Sequence, residues 1–284
     1  MNYTTMSKTE ITQTKGLRRN TIDKYYTAEF AVNLCLSHIQ TYIQTSENDL
    51  IIEPSAGNGA FIPGIKAITN HYEFYDLEPE NEEIIKQDYL CYDYVSVRNK
   101  YEKIHIIGNP PFGRQSSFAI KFIKKSCEFC NSISFILPKS FKKESLRKTF
   151  PTNFHLLFET DLPDKSFLVQ GIEHNVPCIF QIWEKKDYNR EVTEKLVPLN
   201  FSFVSNTETP HISFRRVGVN AGNIDTNIDY KSVQSHYFIK FDKTPTKVLY
   251  ENIRDLQYSN KDSTIGPKSI SKQELIREFN TLFE

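Results

Sequence analysis

Residues 103–113 read KIHIIGNPPFG, and the way this stretch ends decides how the chain is read. An apolar run, Ile104 to Ile107, closes on an amide, two prolines and an aromatic ring. Proline donates no N–H and fixes φ, so a proline pair stops strand pairing at once. Asn109, ahead of the pair, is pushed toward an extended conformation. The product is a rigid elbow at a strand end, presenting the Asn109 and Pro110 carbonyls and the Phe112 ring to whatever lies above. Asn-Pro-Pro can equally be a plain turn between a strand and a helix, so the neighbouring stretches have to choose.

Outward from the elbow the same rhythm recurs. DLIIE (49–53) reads as a short strand, and AGNGAF follows as a loop entering a helix. YEFYD (72–76) is a strand ending in an acid, and EEIIKQ (82–87) is polar or weakly helical. A helix is expected over 116–130, a strand at SISFIL (132–137), then a basic helix. FHLLFE (154–159) and CIFQIW (178–183) are late strands with no helix-length segment between them, which predicts an antiparallel pair. Upstream, Thr27 is placed as the N-cap of a helix carrying Phe30, Ala31, Leu34, Cys35, Ile39, Tyr42 and Ile43 on one face. Strands alternating with helices predict an α/β architecture around a mostly parallel sheet with both faces covered.

Composition sets outer bounds. A chain of 284 residues makes one large domain or two smaller ones, and 39% hydrophobic with 25% charged residues is an ordinary globular balance. No apolar run approaches the length of a membrane span, and the N-terminus MNYTTMSKTE lacks the apolar region of a signal peptide, so an intracellular, cytoplasmic protein is expected. Five cysteines suit reduced thiols. Cys127 and Cys130 form a CxxC without the second pair that a zinc site needs, so they read as small helix residues and no metal is expected.

Net charge is zero, yet it is unevenly spread. HYEFYDLEPENEEIIKQD (71–88) is acidic, whereas Lys139, Lys142, Lys143, Arg147 and Lys148 crowd a basic stretch. Such a chain can present one basic face to nucleic acid, or the stretch can be a solvated helix face. Residues 1–23 read as a flexible basic arm and 24–188 as the main domain. Residues 189–284 read as a smaller region of short strands, with a C-terminal amphipathic helix capped by Ser271.

Three strand ends carry the chemistry, because open α/β sheets bind ligands beyond the carboxyl ends of their strands. Glu53 closes the first, and Gly57 and Gly59 let the backbone pass close to a ligand. The glycines match neither the dinucleotide fingerprint nor a Walker loop. Asp76 ends the second, where a carboxylate suits a ribose diol; a plain surface acid is the alternative. Asp88 and Tyr89 offer an acceptor beside a ring, enough to hold an adenine. An adenosine-bearing cofactor without a cradled phosphate fits this set, and S-adenosylmethionine fits better than ATP or NAD.

DKYYTAEFAVNLCL, EPSAGNGAF, YDLEP, QDYL and NPPF, in that order, resemble the motifs of the gamma-class, TaqI-type N6-adenine DNA methyltransferases over residues 24 to about 185. The resemblance implies a Rossmann-like class I methyltransferase fold, with a seven-stranded mostly parallel sheet and a terminal antiparallel hairpin. It implies that Thr27, Glu53, Ala56, Gly57, Gly59, Asp76, Leu77, Asp88, Tyr89, Asn109 and Pro111 surround S-adenosylmethionine. Asn109 and Pro110 would accept the two N–H groups of an adenine amine while Phe112 stacks on the base. A second aromatic wall is expected from Phe167, with His174 as competitor, and Phe167 can equally be a core residue. Lys139, Lys142, Lys143 and Arg147 would approach the nucleic acid, as would Arg215 and Arg216 unless these are ordinary surface arginines. DNA is the expected partner. RNA adenine comes second, then a protein glutamine, because each is a planar conjugated nitrogen. A non-catalytic nucleic-acid-binding protein is the reading from a different class.

Overall fold

The computed structural model describes residues 25–192, 194–264 and 266–284. The arm expected over 1–23 lies outside the described residues. The chain runs β1 (Tyr26–Thr27), α1 (Glu29–Tyr42), β2 (Leu50–Glu53), α2 (Ile62–Lys66), β3 (His71–Asp76), β4 (Ile85–Lys86) and β5 (Ile104–Gly108). It continues with α3 (Ser117–Cys127), β6 (Ser132–Pro138), α4 (Glu144–Arg147), β7 (Phe154–Asp161), β8 (Phe167–Val169), β9 (Ile172–His174) and β10 (Cys178–Lys185).

Seven of these strands form one sheet in the order β4-β3-β2-β5-β6-β10-β7. Numbered by their place along the chain within that sheet, they run 3-2-1-4-5-7-6. Pairing is parallel from β4 to β6, and β10 alone is antiparallel, wedged between β6 and β7. Alternation along the strands feeds two cores. Leu50, Ile52, Ile104 and Ile106 point to the face covered by Ala119, Phe122 and Ile123 of α3. Ile51 and Ile107 point to the opposite face, covered by Val32, Cys35 and Ile39 of α1 and Ile62 and Ile65 of α2. Covered on both faces, β2 is apolar from Leu50 through Ile52, and the polar side chains buried in the neighbouring strands, such as His105 and Ser132, are hydrogen-bonded to each other.

Local expectations fail at four places. Thr27 caps nothing: the α1 N-cap is Ala28, without a side-chain cap bond, and Thr27 lies in β1. The polar stretch 82–87 contains β4, an exposed two-residue strand pairing Tyr75 with Ile85 at the sheet edge. The basic helix after β6 is a 3-10 turn over Lys139–Lys142 and the one-turn α4, because Lys143 between them is extended at ψ 135°. The connection from β7 to β10 carries a hairpin, β8–β9, turning at Gln170 and Gly171 with positive φ. That hairpin pairs with β1 into a small separate sheet.

Beyond it, β11 (Phe201–Val204), β12 (Ile212–Arg215), β13 (Ile224–Asp225) and β14 (His236–Phe241) form a four-stranded antiparallel sheet. With α5 (Lys247–Asp255) and α6 (Lys272–Asn280) it buries a third core that includes Phe214, Ile239, Ile253 and Phe279. Ser271 caps α6 as expected, in a reciprocal capping box with Glu274. No helix among the described residues is long and apolar enough to cross a membrane.

Candidate active site

The strand order reverses direction at β2, so the ends of β2, β3 and β5 open a crevice between the loops that follow them. A cleft of about 370 Å³ lies there, lined by Thr27, Glu53, Ala56, Gly57, Asp76, Leu77, Asp88, Asn109, Pro110, Pro111 and Phe112 among others. Every residue expected around the cofactor lines it except Gly59, and Pro110 and Phe112 complete the elbow.

The loop after β2 bends through Gly57 at φ +56° and Gly59 at φ +84°. A Cβ on Gly59 would stand 2.8 Å from the Ile62 side chain and 2.9 Å from that of Asn81, so only glycine fits this turn. Gly57 N–H donates to Asp76 Oδ2 at 2.8 Å, and Glu78 N–H donates to Asp76 Oδ1 at 2.8 Å. These two bonds fix the carboxylate at the cleft wall and leave each oxygen with a lone pair for a diol. Asp88 is held in the same manner by Leu90 N–H at 2.9 Å.

Glu53 is the least ordinary group. It is buried, and its Oε2 has no hydrogen-bond partner. Burial, and second the nearby charge of Asp76, push its carboxyl up to about 8. An unpaired acid in a cleft is unfavourable alone, and a cationic ligand group is what relieves it.

Asn109 is the other orphan. Its Nδ2 donates to the Tyr25 carbonyl and to Thr27 Oγ1, each at 3.3 Å, while its buried Oδ1 has no partner. Ser55 Oγ donates to the Asn109 main-chain carbonyl at 3.2 Å and steadies the elbow from the β2 loop. Beyond Phe112 the backbone passes through three residues of positive φ, Gly113, Gln115 and Ser116, before α3 begins.

Several expected roles move. Tyr89 is 1% exposed; its ring stacks on Phe122 and its hydroxyl bonds Ser126 Oγ at 2.8 Å, so the ring belongs to the core more than to an adenine. Leu77, 61% exposed at the cleft, is free to take an adenine face. Phe167 is 1% exposed and packs in the core beneath α1, so it is no wall for a base. His174 is exposed. Both meet the edge of one ring, Tyr25, at 6.3 Å, and Tyr25 itself lines the cleft. Phe118 also reaches the cleft, 46% exposed. Sequence reasoning missed Tyr25 and Phe118. The one signal for Tyr25 was its place two residues before Thr27.

The basic stretch is largely spent on internal partners. Lys142 and Lys139 pair with Asp161 at 2.8 and 3.6 Å, and Arg147 pairs with Glu159 at 2.7 Å. Lys143 Nζ donates to Ser269 O and Oγ, tying α4 to the C-terminal region. Arg215 is likewise bound to Val217 O and Ser235 Oγ, and Arg216 lies over the Tyr237 ring at 5.3 Å. Neither the 139–147 group nor this arginine pair lines the cleft.

No protein-family model matches the chain, and no curated protein matches it. Solved structures resemble it. A Pyrococcus horikoshii protein provisionally described as an RNA methyltransferase aligns at 14% identity over 60% of this chain and 92% of its own, with a TM-score of 0.45. The 23S rRNA methyltransferase ErmE aligns at 11% identity over 55% and 69%, with a TM-score of 0.40. An rRNA methylase from Streptococcus thermophilus aligns at 15% identity over 55% and 94%, with a TM-score of 0.37. The fold is the Rossmann-like class I methyltransferase fold. Its signature is the strand order 3-2-1-4-5-7-6 with a single antiparallel strand.

Proposed function

We propose that this chain transfers a methyl group from S-adenosylmethionine to the N6 amine of an adenine in DNA. The observation that carries the reading is the buried, unpartnered Asn109 Oδ1, on a residue set by a proline pair at the end of β5 in the lining of the cleft that also holds Asp76 and Glu53. The cofactor residues fit: Asp76 offers lone pairs to a ribose diol, Asp88 an acceptor for an adenine amine, and Glu53 an unpaired carboxyl for a cationic end. Bound there, S-adenosylmethionine would supply an electrophilic methyl group.

Everything else falls to the chain. The N6 lone pair of adenine is conjugated with its ring, which makes the amine a weak nucleophile. Asn109 Oδ1 and the Pro110 carbonyl would each accept one N–H, favouring the geometry in which the lone pair points out of the ring plane. Because the prolines fix both acceptors, little reorganisation accompanies the transfer. No base is needed before attack: as the N–C bond forms and the S–C bond to the methyl breaks to leave a neutral thioether, the nitrogen becomes acidic and would shed one proton through its acceptors to water. Phe112 would supply one face for the base, and Tyr25, which also lines the cleft, would supply the second. In duplex DNA the adenine must leave the stack to reach them. Among the described residues, Arg114, two residues after Phe112, and Lys121, 5.5 Å above the ring of the cleft-lining Phe118, are exposed cations that could meet phosphate.

The test is methyl transfer from labelled S-adenosylmethionine to duplex DNA, total RNA and mixed protein in parallel. N6-methyladenine in DNA is expected. Label in RNA alone moves the substrate to RNA adenine, and label in glutamine or in nothing overturns the reading.

A further inference from the structure

An asparagine amide has two ends of opposite hydrogen-bonding character, and the proposed chemistry needs the oxygen end turned inward. Nothing within NPPF decides which end that is. The deciding atoms come from β1 and from Tyr25 just before it. The Tyr25 carbonyl, 3.3 Å from Asn109 Nδ2, has no proton, so only the NH2 end of the amide can face it. Thr27 Oγ1, also 3.3 Å away, can donate or accept; with the NH2 end turned toward it, it accepts. Both donors of Asn109 thereby face Tyr25 and β1, and Oδ1 is left buried and unpaired at the cleft.

β1 is itself held on three sides. Tyr26 and Thr27 pair with Leu168 and Phe167 of the β8–β9 hairpin. Ala28 N–H donates to Ser166 O at 2.9 Å, and Tyr26 Oη donates to Glu80 Oε1 at 2.5 Å. Thr27 is only 7% exposed. This small sheet is therefore part of the acceptor site, although it shares no hydrogen-bond ladder with the main sheet.

We propose that Thr27, together with the Tyr25 carbonyl, is a positioning residue that holds the Asn109 amide with its oxygen toward the substrate amine. This rests on the methyltransfer reading above, and it gives Thr27 a role other than the cofactor contact that the family resemblance implies.

The experiment is a double-mutant cycle read by single-turnover methyl transfer at saturating cofactor. Thr27→Val keeps the shape and removes the acceptor; it should slow transfer about tenfold, the scale of one lost hydrogen bond. Thr27→Ser should restore the parent rate. On an Asn109→Ala background, which has no amide left to orient, Thr27→Val should change the rate by no more than about twofold. A second readout does not depend on activity. The Asn109 side-chain NH2 resonances, identified by their loss in Asn109→Asp, should exchange with solvent about tenfold faster in Thr27→Val than in the parent or in Thr27→Ser. Equal rate losses on both backgrounds, a Thr27→Val enzyme at the parent rate, or unchanged exchange each overturn the proposal. A parent protein that methylates nothing overturns the functional reading instead, and the exchange measurement then still decides how the amide is held.

Discussion

At the scale of single residues, two orphaned acceptors, Asn109 Oδ1 and Glu53 Oε2, define what the cleft lacks. Removing the first should be costly: Asn109→Ala is expected to slow methyl transfer at least about a hundredfold in single-turnover assays, the usual loss for one preorganised polar group. Cofactor affinity, measured by calorimetry, should fall far less because Asp76 and Asp88 remain; equal losses in both would place Asn109 in cofactor binding instead. Glu53 makes a pH prediction. With a carboxyl pushed up to about 8, it is mostly protonated at neutral pH and must ionise to accept a cationic group. Affinity for S-adenosylmethionine should therefore rise with pH up to about 8 and then level, with a proton released on binding. Glu53→Gln should bind more weakly and without that pH dependence; a parent protein with a flat profile would sink the idea. These residues were legible in the sequence because each ends an apolar strand, where a polar group has few structural reasons to be. The aromatic walls were not. A phenylalanine reads the same in a core as in a cleft, so Phe167 stood equally for the base wall and for the core; the fold buries it and sets the Tyr25 ring against it.

Elements tell a related story about charge. Five cations in LPKSFKKESLRKTF looked like a nucleic-acid face, but β7 runs beside them and brings Asp161 and Glu159. Sequence distance hid those partners, since a segment's own charge says nothing about what a later strand presents to it. Among the described residues, Arg114, in the turn after the cleft-lining Phe112, and Lys121 of α3, over the cleft-lining Phe118, are exposed cations. Replacing Arg114 and Lys121 by alanine should weaken DNA binding and reduce the slope of log affinity against log salt by about 1 to 2, one for each phosphate no longer neutralised. The same change at Lys142 and Arg147 should leave the slope alone and lower stability by roughly 1 kcal/mol, as for broken charge-assisted hydrogen bonds in a half-exposed setting. The reverse pattern would return the nucleic acid to the 139–147 stretch. Long elements followed from apolar runs and spacing: α1, α3, β2, β5 and β6 all fall where periodicity put them. β4, β8 and β9 did not, because two or three residues are too few to show a period. Their existence depends on partners elsewhere in the chain.

Across the whole molecule, strand polarity separates two polar constellations that residue types alone would confuse. Glu53, Asp76 and Asn109 gather at the carboxyl ends of the sheet. At the amino ends sit Asp49, His105 and Ser132: His105 Nδ1 meets Ser132 Oγ at 2.7 Å, and its Nε2 meets Asp49 Oδ2 at 3.2 Å. The types are those of a hydrolytic triad, yet all three are at most 3% exposed. They also stand at the end of the strands away from the cleft, so no substrate reaches them. Their work is structural. Asp49 also accepts from Ser46 and from Lys103 N–H, which closes the loops at that end of the sheet. Burial holds His105 below its ordinary value, although the Asp49 carboxylate opposes it; burial pushes Asp49 up, but hydrogen bonds from Ser46 and His105 outweigh it and hold Asp49 below the usual range. Both groups thus bind protons less readily folded than unfolded. Their stabilisation is present above the unfolded histidine value of about 6.5 and is lost as pH falls through the lower folded values. Glu53, raised in the folded state, has the opposite sign and loses its contribution as pH rises toward 8. In the ligand-free protein the two effects oppose each other below about pH 6.5, so the trio's share is read by chemical denaturation as the difference in pH slope between the parent and His105→Gln. His105→Gln, which keeps a donor toward Asp49 but cannot take up a proton, should be less stable at pH 7.5 and lose less on acidification. Measuring the slope rather than the level makes the comparison robust to the substitution's own cost. Parallel acid limbs in the parent and His105→Gln would show that the trio does not set the acid sensitivity of the fold.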